Sequence, residues 1–354
     1  MKSNINYFFK SKILPVDKFF NRVLFDKKKG YYTSKNPFGK TGDFLTSPSI
    51  SNLFSEILGI WLISTWEIFG KPKRFNIVEL GPGNGSLIKI LIKTFEKFPE
   101  FNSSVQIYLY EKSVFLKNIQ KKSVKNSKVR WISSFTDIQK GPVIFFGNEF
   151  FDAIPIKQFI KKNNTLLEKH YYLNKENKIC EIHKKTSNKN ISLIKTFKCL
   201  KNLKFIELPE LGLGELKKII KKISKLNGGL LLIDYGYLQP KNRSTLQSIM
   251  KHKRNKLLEN LGKADITSLV NFKLLDEFFV KNHLKVKEIV TQKFFLEKMG
   301  IIERANNLSK KMKFREQTNL YYRLKRLIDV KLMGELFKVI FAYKFKKNNF
   351  LGFK

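Results

Sequence analysis

Cysteine is nearly absent: Cys180 and Cys199 are the only two, they are far apart, and no C-x-x-C occurs. That excludes a disulfide framework. His183 follows Cys180 by three residues and His170 lies nearby, but a zinc site needs four well-placed ligands, so these side chains read as surface residues and no metal is expected. Acid is scarce too, with 29 Asp and Glu against 69 Lys and Arg and a formal charge of +40. Arginine is the rarer base, nine of the 69. The lysine excess is spread through nearly every block and accompanies abundant Asn, Ile and Phe, as an AT-rich coding sequence would produce. Charge of this size still attracts nucleic acid and anionic membranes, but no single patch carries it, and no specific nucleic-acid partner is expected. Long apolar runs are missing. The best, Ile50 to Phe69, is broken by Glu56 and Glu67 and reads as an amphipathic helix starting near Ser47-Pro48, with no membrane span. Met1 to Lys12 lacks both a secretory apolar core and arginine, which favours a bacterial cytoplasmic location over a mitochondrial presequence. No hydrolase elbow and no internal repeat is evident.

What is present is a large apolar and aromatic fraction, 42% and 14% of 354 residues, enough for a large core and more than one compact domain. The most informative stretch is Ile77-Val78-Glu79-Leu80-Gly81-Pro82-Gly83-Asn84-Gly85. It is a short apolar strand ending in an acid, then a glycine turn, then helical spacing from Ser86 to Thr94. Gly81, Gly83 and Gly85 remove Cβ atoms where backbone must bend and approach a nucleoside ligand. The dinucleotide fingerprint wants its third glycine where Ser86 stands, which argues against NAD. Glu79 argues further for a cationic ligand, and S-adenosylmethionine carries a sulfonium and an ammonium. An ordinary tight turn is the competing reading.

Val105 to Glu111 is a second strand ending in a carboxylate, at the distance where the second-strand acid of doubly wound folds binds ribose hydroxyls; a plain exposed strand end is the alternative for Glu111. A third strand, Val143 to Gly147, runs into Asn148-Glu149-Phe150-Phe151-Asp152-Ala153-Ile154-Pro155. Ligands of open α/β sheets lie beyond the carboxyl ends of the strands, so Asn148, Glu149 and Asp152 are candidates for holding a methyl acceptor. The competing reading makes Asp152 a helix cap and Asn148 a turn residue. Leu230 to Asp234 repeats the pattern.

These residues make the chain resemble the MidA-like family, which includes a mitochondrial complex I assembly factor that is a protein arginine methyltransferase. The resemblance runs through Gly30-Tyr31-Tyr32, Asn36-Pro37 with Gly39, Gly42 to Pro48, Glu79 to Gly85, Asn148 to Pro155, Ile233 to Gly236, Thr245-Leu246-Gln247, Ala264 to Thr267 and Met333 to Lys338. It implies a seven-strand-type methyltransferase sheet, S-adenosyl-L-methionine as donor, and an arginine of a respiratory complex I subunit as acceptor. It departs from the family at Ser49, where glutamate is usual, and at Ser268, Leu269 and Asn271, where alanine, histidine and aspartate are usual, while the valine between the last two is kept as Val270.

The expected fold is α/β: a Rossmann-like methyltransferase sheet with an N-terminal helical front, an inserted α+β segment and C-terminal helices. The segments are 1–72 as the front, 73–155 and 228–304 as the core, 156–227 inserted over the strand ends, and 305–354 as closing helices, from about Ser309 to Phe345. The expected cofactor residues are Glu79, Gly81, Pro82, Gly83, Gly85, Glu111 and Thr46. Because a guanidinium stays protonated, arginine methylation needs a carboxylate to localise its charge and accept the released proton. Glu149 is the first choice, Asp152 or Asp43 the second, and Asn148 orients the acceptor or the methionyl group. The Tyr31 to Pro48 loop either caps the cofactor or is a plain loop. Three functions stand open: protein arginine methylation, nucleic-acid methylation, and non-catalytic assembly with bound S-adenosylmethionine. No Asp/Asn-Pro-Pro-aromatic tetrapeptide follows the Val143 strand, which disfavours the second.

Overall fold

The computed structural model describes residues 2–9, 13–37, 43 and 46–354. Gly39, Gly42 and much of the expected capping loop lie outside the described residues. The chain divides into two compact units: one holds residues 45–150, 218–236 and 279–354, the other 1–44, 151–217 and 237–278. Residues 1–72, expected as one front, are thus shared between the two.

The first unit is built on a mostly parallel sheet. Strands Phe75–Leu80, Val105–Tyr110, Val129–Ile132, Val143–Asn148 and Gly228–Tyr237 pair in parallel. Phe337–Lys344 inserts antiparallel between Gly228–Tyr237 and the short strand Lys285–Val286. Numbered along the chain, these strands lie in the order 3-2-1-4-5-7-6, with the seventh reversed. Continuous apolar runs such as Val143 to Phe146 and Leu230 to Ile233 suit a sheet covered on both faces.

Asn52–Ile68 forms a helix whose Ser51 cap accepts from the Leu53 amide at 3.2 Å. The helix buries Trp61, Leu62 and Trp66 in a core shared with Ser86–Phe95 and Phe341. Helices were expected through Phe345, yet only Phe314–Ile328 and a short turn at Met333–Leu336 are helical there. Phe337–Lys344 is a strand because its run of buried Val339, Ile340, Phe341 and Ala342 has sheet on both edges.

The second unit is antiparallel. Strands Ile13–Pro15, Thr165–Leu173, Lys157–Lys162 and Phe205–Leu208 lie in that order, and Ile179–Lys185 also pairs with Thr165–Leu173. The helix Val16–Phe25 lays Phe19, Phe20 and Val23 against Tyr171, Leu261 and Ile266. A small sheet of Gln247–Met250, Lys253–Asn255 and Asp265–Thr267 completes it. The helix Glu210–Leu226 follows the strand Phe205–Leu208. No helix among the described residues is long and apolar enough to cross a membrane.

Candidate functional site

In the parallel-sheet unit the glycine turn follows the first strand. Gly81, Gly83 and Gly85 have φ of +62°, +58° and +80°, a region side chains disfavour. A Cβ on Gly81 would stand 2.9 Å from the Phe150 ring, so the turn and the end of the Val143 strand touch. Pro82 closes the turn, its carbonyl accepting from the Gly85 amide at 2.9 Å.

Glu79 and Glu111 end neighbouring strands and are both buried. Glu79 Oε2 makes no hydrogen bond among the described residues. Burial, and secondarily the Glu111 charge, pushes the Glu79 carboxyl up to about 8. Burial raises Glu111 as well, although the Ser113 amide and Gln120 favour its ionised form. Glu111 Oε1 accepts from the Ser113 amide at 2.8 Å and Oε2 from Gln120 Nε2 at 3.1 Å. Gln120 was not foreseen. Its Nε2 also donates to the Gly83 carbonyl at 2.8 Å, while its Oε1 accepts from Trp131 Nε1 at 3.0 Å, so one buried amide ties the glycine turn to the second-strand acid. The only signal in the sequence is a polar residue four positions after buried Leu116 on the same helix face.

Glu149 has a left-handed backbone, φ +50°, which costs a non-glycine residue about 1–2 kcal/mol. Its amide donates to the Ile233 carbonyl at 2.9 Å. Its Oε1 accepts from the Ser47 amide and from Asn148 Nδ2, both at 3.2 Å. The buried Asn148 Oδ1 makes no hydrogen bond among the described residues. Thr46 precedes Ser47, and its hydroxyl shares a hydrogen bond with Ser49 Oγ at 3.1 Å.

Asp43 and Asp152 belong to the antiparallel unit. Buried Asp43 accepts from Tyr31 Oη at 2.7 Å, Lys35 Nζ at 2.6 Å and the Lys251 amide at 2.6 Å. Burial raises its carboxyl, but these donors outweigh it and hold it below the usual range. Asp152 is buried in a turn over residues 151–154 that leads into a strand, so it does not cap a helix there. Its carbonyl accepts from the Ser268 amide at 3.0 Å. Asp265 was not singled out, although burial and then Asp152 raise its carboxyl to about 8. Tyr32 Oη donates to it at 3.0 Å. Among the described residues no group of three or more His, Cys, Asp or Glu side chains is arranged to hold a metal ion.

A 3-2-1-4-5-7-6 sheet, a positive-φ glycine turn after its first strand and acids ending its first two strands define a Rossmann-like methyltransferase. Residues 57–290 match the family described as putative S-adenosyl-L-methionine-dependent methyltransferase, and the chain belongs to that family. Its cofactor is S-adenosyl-L-methionine. The unpartnered Glu79 oxygen and the Cβ-free turn fit that group: a buried carboxyl that a cation would hold ionised, beside a cradle open to backbone approach. The chain is similar to the protein arginine methyltransferase NDUFAF7, mitochondrial, of Xenopus laevis, with 29% identity over 92% of this chain and 80% of the relative. The Caenorhabditis elegans homologue is 31% identical over 81% of this chain and 73% of its own. The fold matches a Burkholderia thailandensis protein solved with S-adenosyl-homocysteine, with TM-score 0.83, 19% identity and coverage of 97% of this chain and 91% of that one.

Proposed function

We propose that the protein is an S-adenosyl-L-methionine-dependent protein arginine methyltransferase acting on a respiratory complex I subunit during assembly. The carrying observation is Glu149: a carboxylate on a strained strand-end turn, adjoining the glycine turn through Phe150. The relatives' names support the arginine class; the complex I acceptor rests on the family resemblance. The proposed location is the cytoplasm of a bacterium, or the mitochondrial matrix in a eukaryote.

In this reading Glu79, Gly81, Pro82, Gly83, Gly85, Glu111 and Thr46 hold the cofactor. Glu79 pairs with its positive charge and Glu111 binds its ribose. The cofactor supplies a methyl group on a sulfonium. Glu149 draws the guanidinium charge toward the nitrogens that face it, which leaves electron density on the reacting nitrogen. The Glu149 carboxylate would accept the N–H proton that the guanidinium gives up on methylation, while the sulfur of the cofactor would keep the electron pair of the bond to the methyl group. Asn148 orients the acceptor through its open Oδ1. The Ser47 amide and Asn148 Nδ2 fix the carboxylate's rotamer, so little ordering remains to be done when the acceptor arrives.

The test is methyl transfer from labelled cofactor to purified complex I subunits, with mass spectrometry to locate the modified residue in cells with and without the gene. Methylation of an arginine that vanishes with the gene supports the reading. Faster incorporation into RNA at physiological salt would favour the nucleic-acid alternative that the +40 charge invites. Cofactor binding with no transfer to any acceptor would favour a non-catalytic assembly factor.

A further inference from the structure

The antiparallel unit contains a cavity that the methyl-transfer chemistry does not use. Lys241, residues 243–249, Arg254, Asn255, Leu257 and Leu269 line a half-open pocket of about 440 Å³. Three of its lining residues are cations, Lys241, Arg243 and Arg254, and none is an acid. Leu246, Ile249 and Leu257 supply an aliphatic floor, and no aromatic ring lines it.

The two arginines are informative because the chain has so few. Its basic residues are overwhelmingly lysine, yet two of the nine arginines meet in this one pocket. A guanidinium adds a planar fork of donors matched to two oxygens of one oxyanion. Among the described residues neither guanidinium is engaged in a hydrogen bond or ion pair. Lys241 is half-buried, its Nζ 5.6 Å from the Tyr237 ring centroid.

The walls are fixed from behind. Thr245 donates through its amide (2.9 Å) and its hydroxyl (2.6 Å) to the buried Glu207, which also accepts from Gln158 Nε2 at 2.9 Å. These three donors occupy the Glu207 carboxyl. Asn255 donates to Ser248 Oγ at 3.0 Å and to the Lys256 and Glu259 carbonyls. At the tip of the hairpin that carries Arg254, Asp43 accepts from the Lys251 amide, which fixes the turn.

We propose that this pocket is a subsite for a carboxylate side chain of a polypeptide, gripped by Arg243 and Arg254 with Lys241 beside them. The aliphatic floor suits the methylenes of a glutamate and its neighbours. A nucleotide base would look for an aromatic stacking platform, which this lining lacks. That the polypeptide is the methyl acceptor rests on the proposed function; the binding site itself does not.

The test uses the full chain and a fluorescein-labelled glutamate-rich peptide, its glutamine counterpart, and inorganic phosphate as competitor, at physiological salt. The glutamate peptide should bind, and the glutamine peptide should bind about tenfold more weakly or worse. R243Q/R254Q should lose about tenfold in affinity, whereas R315Q/R323Q, which removes the same charge from two equally exposed arginines of the helix Phe314–Ile328, should not. R243K/R254K should resemble the glutamine pair, since lysine keeps the charge and loses the fork. Equal losses for the two glutamine pairs would show that the general field of the protein does the binding and would overturn the proposal. So would displacement by phosphate as effective as by unlabelled peptide, which would mark a phosphate site. Calorimetric cofactor affinity should be unchanged in R243Q/R254Q, and methyl transfer to an acidic acceptor should show a raised KM at unaltered kcat. Absence of methyl transfer in the unmodified protein would sink the proposed function and leave the peptide titration to decide the subsite.

Discussion

If Glu79 pairs with the positive charge of the cofactor, as proposed, cofactor affinity becomes a function of pH. With its carboxyl at about 8, only about one molecule in a hundred carries the charge at pH 6. A cationic ligand that pairs with the carboxylate therefore expels a proton on binding, and affinity rises with pH until Glu79 is ionised unaided. If the paired form titrates below pH 5.5, the gain from pH 5.5 to 7.5 approaches a hundredfold, roughly 2.7 kcal/mol. Higher pH is uninformative, because an α-ammonium on the ligand loses its own proton near about 8. The sign for the protein alone is opposite. Its folded carboxyl titrates above the unfolded value, so this group's contribution to stability is fully present below the unfolded pKa, falls as pH rises through that interval, and is gone above about 8. Calorimetry in two buffers of different ionisation heat counts the proton directly. The unmodified protein should release about one near pH 6.5 and Glu79→Gln none, with a flat affinity profile. S-Adenosylhomocysteine, which keeps the ammonium and lacks the sulfonium, tells which charge Glu79 meets. A profile flat within about threefold in the unmodified protein, with no buffer-dependent heat, would refute the reasoning.

Other outcomes follow from the same geometry. Gly83→Val, forced to φ +58°, should lose S-adenosylmethionine binding by calorimetry while circular dichroism shows the fold retained. Unchanged affinity would move the cofactor elsewhere. Glu149→Gln should keep cofactor affinity and reduce labelled-methyl transfer by about 10²–10⁴; wild-type rates would shift the role to another carboxylate. Gln120→Leu strands Glu111 Oε2, the Gly83 carbonyl and Trp131 Nε1, and should lower stability in urea by roughly 2–3 kcal/mol. Duplex DNA should bind weakly, with affinity that falls steeply with salt and ignores sequence.

The parts legible in the sequence are those whose signal is local. Glu79 to Gly85 announces itself because strand, turn and helix follow within a few residues, and the acids at Glu79 and Glu111 stand out against a lysine-rich background. What was not legible depends on distant partners. Phe337–Lys344 has no alternation because sheet and helices bury both faces, and a run that short reads equally well as a helix. The Asp43 to Lys251 hydrogen bond spans 208 positions, so nothing near Asp43 foretells that its carboxylate is engaged by backbone there. Nor does composition distinguish Gln120 from any other polar residue on a surface helix until its three partners are assembled around it.

The reversed strand imposes an order on how this protein can be made. Gly228–Tyr237 leaves the ribosome with Val143–Asn148 already available on one side, but its partner on the other side, Phe337–Lys344, is synthesised after every other strand of the sheet. Until then a ladder from Gly228 to Tyr235, with Leu230, Leu231, Leu232 and Ile233 at its centre, presents open amides and carbonyls to whatever is nearby. The nascent chain thus passes through a stage in which a nearly finished cofactor fold is also a template for pairing with its neighbours. Interruption of translation in that interval should yield aggregates rather than a smaller working domain.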